Sequence, residues 1–198
     1  MESLNQAIFL HLNAGAHLRA WALAAASALA EVAIGLIPLT LLFGWLRGTD
    51  ATRKVMLEAT ASGVLAILCT QLIDLLWQHP RPYTIGLGYT YLVHADDPSF
   101  PSDHLSLWWA VSFTLLLHRR TRAAGSGLSI AGLPIAWSRI NLGVHLPLDM
   151  AGAAIFALLS ASLCKGSRVW LAHPLFPWAM TEHRRLLAPP IKRGWVLE

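Results

Sequence analysis

Apolar residues along this chain gather into runs separated by short polar stretches, and two of them, Trp21 to Trp45 and Val55 to Trp77, are long enough to be membrane-spanning helices. Such a helix takes about 20 mostly apolar residues. Three shorter runs follow, Leu105 to Leu117, Leu128 to Ile140 and Leu146 to Cys164. The first two of these must lean on neighbouring helices or end in thin, interfacial regions. Ahead of all five, Leu4, Ile8, Phe9 and Leu12 alternate at helical spacing with Asn5, Gln6, His11 and Asn13, which predicts an interfacial amphipathic helix within residues 1–18. Past Arg168, Trp170, Leu171, Phe176 and Trp178 mingle with prolines and bases, so residues 168–198 suit a segment lying against anionic headgroups. No stretch alternates with period two, and lipid admits only helices or closed barrels. The pattern predicts one all-α domain over residues 1–198, a polytopic bundle of five or six membrane helices without internal repeats.

Composition agrees with this picture. At 55% hydrophobic and 13% charged residues, with a mean hydropathy of +0.50, the chain is too apolar for an ordinary soluble globule. Trp21, Trp45, Trp77 and Trp170 stand near predicted helix ends, where an amphipathic ring favours headgroup depth. Trp108, Trp109 and Trp137 lie further in and read as packing or lipid contacts. Cys69 and Cys164 fall inside predicted spans, as buried thiols rather than a disulfide or metal pair. The first apolar run is too long for a cleavable signal and no basic cluster precedes it, so it is expected to stay in the mature chain.

Charge sets the expected orientation. Of 15 basic residues, Arg47, Arg53, Lys54, Arg119, Arg120, Arg122, Lys165, Arg168, Arg184, Arg185, Lys192 and Arg193 all follow the first, third and fifth runs. The positive-inside rule puts that side in the cytoplasm and leaves Arg19, Arg81 and Arg139 toward the opposite face. The basic balance thus follows from topology. Nucleic-acid binding would need a soluble basic surface with stacking aromatics, which is absent.

The chemistry lies in three loops on that opposite face. Pro101-Ser102-Asp103-His104 opens an apolar run; Ser102 is a natural N-cap, and the free amides of the first turn form an anion site. Asp103 suits the helix dipole but would repel a phosphate, so its carboxylate is expected to point aside. His104 can protonate a departing oxygen. In Ser138-Arg139-Ile140-Asn141-Leu142-Gly143-Val144-His145-Leu146-Pro147-Leu148-Asp149, Pro147 marks a helix start with Asp149 in the first turn. A carboxylate four residues beyond His145 can take one imidazole N–H, so that the other nitrogen presents a lone pair. Arg139 offers a planar fork for phosphate oxygens, and Arg81, between Pro80 and Pro82 in His79-Pro80-Arg81-Pro82, is held on a stiff segment. Taken singly, each of these residues reads better as a cap or an interface anchor.

Together the three segments resemble the type 2 phosphatidic acid phosphatase superfamily, whose signature is Lys-x6-Arg-Pro, then Pro-Ser-Gly-His, then Ser-Arg-x5-His-x3-Asp. The resemblance covers roughly residues 55–165, and Ser138, Arg139, His145 and Asp149 meet the third block in full. It implies a membrane lipid phosphatase with an acid phosphatase/vanadium haloperoxidase-like core. By the same resemblance His145 is a nucleophile forming a phosphohistidine, Asp149 orients it, His104 is the general acid, and Arg81, Ser102, Asp103 and Arg139 belong to the phosphate-binding segments. No metal or cofactor is implied. His94, Asp96 and Asp97 read as a solvated loop rather than a cation site.

Asp74 stands where the family has lysine, and Asp103 where it has glycine. Pro-Ser-Asp-His with His-Pro-Arg-Pro upstream looks like the bacterial undecaprenyl-diphosphate phosphatase branch. Asp74 is expected to pair with Arg81 or Arg139. Glu31 falls near the middle of the first run, where a central acid costs about 2.5 to 3.5 kcal/mol; it is expected to be neutral, paired or turned inward, with a polar substrate cavity favoured. Asp74, Glu31 and His79 complete the site candidates as accessory residues. The expected partners are the bilayer and an isoprenoid diphosphate, hydrolysed at the outer face of a bacterial cytoplasmic membrane. Transfer of the phosphoryl group to lipid A or another lipid, hydrolysis of phosphatidic acid or phosphatidylglycerol phosphate, and an inactive lipid-binding or transport protein remain alternatives, and the sequence leaves the oligomeric state open.

Overall fold

A computed structural model describes every residue except Met1, Val93, His94, Asp96, Trp195 and Glu198, with the backbone alone for residues 168–174. The expectations for His94 and Asp96 and for the Trp170 side chain lie outside the described residues. The helices are α1 (Glu2–Leu12), α2 (Ala20–Ser27), α3 (Leu36–Arg47), α4 (Asp50–Leu76), α5 (Asp103–Leu117), α6 (Arg122–Asn141), α7 (Pro147–Gly166), α8 (Arg168–Leu186) and α9 (Ala188–Lys192). No strand occurs among the described residues.

α2 and α3 are two parts of one 28-residue helical run. They are joined by a widened π-helical stretch, Ala28–Val32, and a tight turn, Ala33–Gly35. Pro38 lies just beyond and has no N–H for the carbonyl four residues earlier, so the turns before it leave regular α geometry. This run, α4 and α7 are long and apolar enough to cross a membrane, which makes the chain a membrane protein. Length and composition qualify only these three among the described residues. α5 has 15 residues, about 22 Å at the usual rise, and α6 is diluted by Gly125, Ser126, Gly127, Ser129 and Gly132.

What α5 lacks in length it recovers in burial. It packs against α4, α6 and α7 and carries buried Leu105, Trp108, Trp109, Val111 and Leu115 into the core. Trp108 and Trp109 donate their indole N–H groups to the carbonyls of Leu128 and Ser129 on α6, at 2.7 and 3.2 Å. Trp137 is largely exposed, as a lipid contact would be. Cys69 and Cys164 are free thiols.

α1 departs from a freely interfacial helix. Phe9 enters the main core and Asn5 is buried, with Asn5 Oδ1 accepting the Leu148 N–H at 3.0 Å. Asn13 and Asn141 lock the same corner, since Asn13 donates to the carbonyls of Tyr89 and Asn141 while Asn141 donates to that of Leu12. Leu4, Ile8 and Leu10 stay exposed. Polar residues read as facing water are the ones that dock.

At the far end, Arg53 is fully buried rather than free to meet headgroups. Its guanidinium donates to the Trp45 carbonyl at 3.0 Å, to Asp50 Oδ1 at 3.2 Å and to the Leu197 carbonyl at 2.5 Å. His183 takes the Trp45 indole N–H on Nδ1 at 3.1 Å, which leaves its Nε2 to donate to the Leu197 carbonyl at 3.0 Å. The Arg53 partners matter, because a buried guanidinium stripped of them would cost several kcal/mol.

The opposite end holds the three signature loops. The C-terminal ends of α4 and α6 and the first turns of α5 and α7 lie there, with the Ser102 N–H donating to the Asp149 carbonyl at 3.3 Å to fasten α5 to α7.

Candidate active site

His145 is placed by a turn that only glycine permits. Gly143 has φ +83°, and a Cβ there would lie 2.2 Å from the Tyr89 carbonyl oxygen, so the chain reverses tightly after α6 and delivers His145 to the interior. Leu146 is then extended, as the residue before Pro147 should be. Asp149 in the first turn of α7 reaches back, with Oδ2 accepting the Leu146 N–H at 2.7 Å.

The two faces of the His145 ring meet different partners. Nδ1 lies 3.0 Å from the Ser99 carbonyl and 3.3 Å from Asp149 Oδ2. Nε2 lies 3.2 Å from Arg81 Nη1 and 3.2 Å from Arg139 Nη2. Guanidinium groups only donate, and carboxylates and carbonyls only accept. The donors therefore assign the proton to Nδ1 and leave a lone pair on Nε2, the arrangement expected of a nucleophile.

Both arginines are buried and anchored on their other edges. Arg81 donates from Nε to the Asp97 carbonyl at 2.9 Å and to Asp97 Oδ1 at 3.0 Å, and from Nη1 to the Val144 carbonyl at 3.0 Å. Arg139 donates from Nη1 to the Ala30 carbonyl in the widened helical stretch at 2.9 Å. Because both forks meet the same nitrogen, they stand within about 6.4 Å of one another, where two unit charges at an effective dielectric of ~20 repel by about 2.5 kcal/mol. Asp97 offsets part of this at Arg81. A phosphoryl group between the forks would offset the remainder.

Ser102 takes the N-cap position of α5, but its hydroxyl makes no cap bond. The Oγ atom is instead buried without a hydrogen-bond partner, which leaves a donor at the helix start where an anion is favoured. Asp103 accepts on Oδ2 from Gln71 of α4 at 2.9 Å, while its Oδ1 is buried without a hydrogen-bond partner. His104 lies half-buried in the first turn of α5.

The accessory candidates divide. Asp74 forms no ion pair among the described residues, because Arg81 is paired with Asp97; its Oδ1 atom is buried and unpartnered. Glu31 is exposed rather than turned inward, while the neighbouring Ala30 is buried and supplies its carbonyl to Arg139. His79 is buried beside Asp149.

Ser99 escapes sequence reasoning, since a serine in a proline-bracketed loop carries no periodicity. It is fully buried, its Oγ donates to Asp149 Oδ2, and its carbonyl faces His145 Nδ1. The Ser99→Ala variant is expected to lose about tenfold in kcat, the value of one hydrogen bond to a charged group, with KM unchanged in steady-state assays of the purified protein.

Residues 55–171 match the model of the PAP2 superfamily. Across 99% of its length the chain is 33% identical to the Escherichia coli (strain K12) protein named "Putative undecaprenyl-diphosphatase YbjG", of which it covers 98%. It is 38% identical over 129 residues, 65% of this chain and 66% of the relative, to "Undecaprenyl-diphosphatase BcrC" of Bacillus subtilis (strain 168). Among solved structures, Aquifex aeolicus LpxE aligns with a TM-score of 0.68 at 19% identity, over 82% of this chain and 95% of that one, and so shares the fold. With the family match spanning more than half of its residues and a relative matched almost end to end, the chain belongs to the PAP2 superfamily.

Proposed function

We propose that this membrane phosphatase hydrolyses undecaprenyl diphosphate or a similar isoprenoid diphosphate to the monophosphate, through a phosphohistidine on His145, at the outer face of a bacterial cytoplasmic membrane. The observation that carries the reading is the Nε2 lone pair of His145 set between two guanidinium groups at 3.2 Å each. His145 Nε2 attacks the terminal phosphorus, and the bond from phosphorus to the bridging oxygen breaks. His104 protonates that leaving oxygen, and the Arg81 and Arg139 forks and the Ser102 hydroxyl hold the phosphoryl oxygens. Water then attacks the phosphohistidine, giving its proton to His104, and inorganic phosphate leaves with His145 restored. Placement and charge neutralisation supply most of the acceleration.

An apolar groove of about 330 Å³ supports a lipid substrate. Leu41 of α3, Val64 and Leu68 of α4, and Leu107 and Val111 of α5 line it, and Gly63 lets α4 and α5 approach so closely that a Cβ would lie 2.7 Å from Leu107 Cδ1. Leu68 and Leu107 lie one turn below the Gln71–Asp103 hydrogen bond. In this reading the groove, open between α3, α4 and α5 below the site, receives isoprene units of the tail. Filling it with Val64→Trp is expected to raise KM for a long-chain isoprenoid diphosphate about fivefold through lost packing, while a short-chain diphosphate keeps its wild-type kinetics.

The deciding experiment supplies purified protein with labelled undecaprenyl diphosphate, phosphatidic acid and phosphatidylglycerol phosphate, with and without an acceptor lipid. Label released as free phosphate, fastest from the diphosphate, supports the reading. Label recovered in the acceptor would make the chain a phosphotransferase, and binding without turnover would leave it an inactive lipid-phosphate binder.

A further inference from the structure

Two buried polar atoms next to the proposed nucleophile face one another without a hydrogen bond. Asp149 Oδ2 is fully engaged by the Leu146 N–H, the Ser99 hydroxyl and His145 Nδ1. Asp149 Oδ1 is buried and has no partner; His79 Nδ1 is likewise buried and without one, and the two lie 4.0 Å apart. A donor-capable nitrogen and an acceptor oxygen, each desolvated, gain by closing the remaining ångström or so. The other edge of the His79 ring faces a second carboxylate, with Nε2 3.5 Å from Glu2 Oε2 on α1.

The ring is held in place from its faces and from its backbone. Trp77 and Phe100 approach edge-on, with centroids 5.1 and 6.4 Å away. The His79 carbonyl accepts the N–H of Ser99 at 2.8 Å, so the residue that holds Asp149 Oδ2 and the residue that faces Oδ1 are themselves bonded. With a carboxylate facing each of its nitrogens, the ring stands between α1 and α7.

We propose that His79 is a positioning residue for the phosphatase reaction: its Nδ1–H secures Asp149 Oδ1, so that the carboxylate cannot rotate away from His145, while its Nε2 faces Glu2 of the N-terminal helix. The inference rests on His145 and Asp149 acting as the reading above has them. It gives α1 a part in the reaction. As positive charge develops on His145 while Nε2 bonds to phosphorus, Asp149 must hold its orientation, and a carboxylate gripped at both oxygens does so where one gripped at a single oxygen can turn.

The test separates hydrogen bonding from packing. In steady-state phosphate release from undecaprenyl diphosphate by the full chain in detergent, His79→Phe keeps an aromatic ring against Trp77 and Phe100 but removes the donor. His79→Asn removes the ring but can put an amide N–H where Nδ1 stood. The expected result is a fall in kcat of about ten- to thirtyfold for His79→Phe with KM within twofold, and recovery of most of that loss in His79→Asn. Glu2→Gln should cost about two- to threefold in kcat, the weaker effect of an exposed partner. Thermal unfolding midpoints recorded alongside show which variants fold. An active His79→Phe with an impaired His79→Asn would assign His79 to packing alone and overturn the proposal, as would wild-type kcat in both. His145→Ala runs in parallel: if it is inactive while His79→Phe is fully active, only this inference falls, whereas an active His145→Ala removes the nucleophile reading and this inference with it.

Discussion

The His145→Ala variant is expected to lose phosphate release from undecaprenyl diphosphate by at least about a thousandfold, the scale on which deletion of a nucleophile is felt. His145 Nε2 is an acceptor that both forks reach, whereas Asp97 and the Val144 carbonyl accept from Arg81 and the Ala30 carbonyl from Arg139. The buried pocket would keep much of its affinity for the diphosphate, so KM should move far less than kcat. Mixing enzyme with labelled substrate and quenching in alkali, under which phosphohistidine persists, checks the same step from the other side. Wild-type protein should carry transient label, and His145→Ala none. Turnover of His145→Ala near the wild-type rate would sink the covalent route.

The second large effect is expected at Arg139, where even lysine should fail. Arg139 uses Nη1 for the Ala30 carbonyl and Nη2 for the reacting centre. A guanidinium does both at once because its donors lie in a fixed plane, whereas an ammonium is one point on a flexible stem. If the lysine reached the phosphoryl oxygen, the buried Ala30 carbonyl would be left unpaired; if it took the carbonyl, the transition state would lose a charge-assisted bond. Either outcome costs about 2.7 to 4 kcal/mol, or roughly a hundred- to thousandfold in kcat. Arg139→Lys should therefore stand close to Arg139→Ala in a rate assay. A lysine variant with half the wild-type activity would show that charge alone suffices.

Much of this site is legible in the chain because its parts are local signals. Pro147 fixes a helix start, Asp149 follows within one turn, and the His145–Asp149 interval falls on one side of that turn, so the relation emerges from spacing alone. Ser102 is legible as a helix start for the same reason, although its hydroxyl is withheld from capping and left buried. The residues that stay hidden act through long-range contacts. Ser99 reaches Asp149 across 50 positions, and Ala30 meets Arg139 across 109; a backbone carbonyl leaves no trace in composition. Polar side chains misled in both directions. Asn5 and Arg53 look like surface residues and are buried, and the half-buried Asn13 ties α1 to two other segments, whereas Glu31 looks like a buried acid and is exposed. Hydropathy locates helices, but only packing decides which side of a helix turns inward.

The broken geometry before Pro38 also sets how this chain can vary. A helix advances about 100° with each residue, and the five residues from Ala28 to Val32 absorb a local change of phase without interrupting the run. Removing one of them would let the widened stretch close to regular α geometry and would withdraw the Ala30 carbonyl from its guanidinium. The length of that stretch therefore bears on how Arg139 is held, even though Ala30 meets it through its backbone.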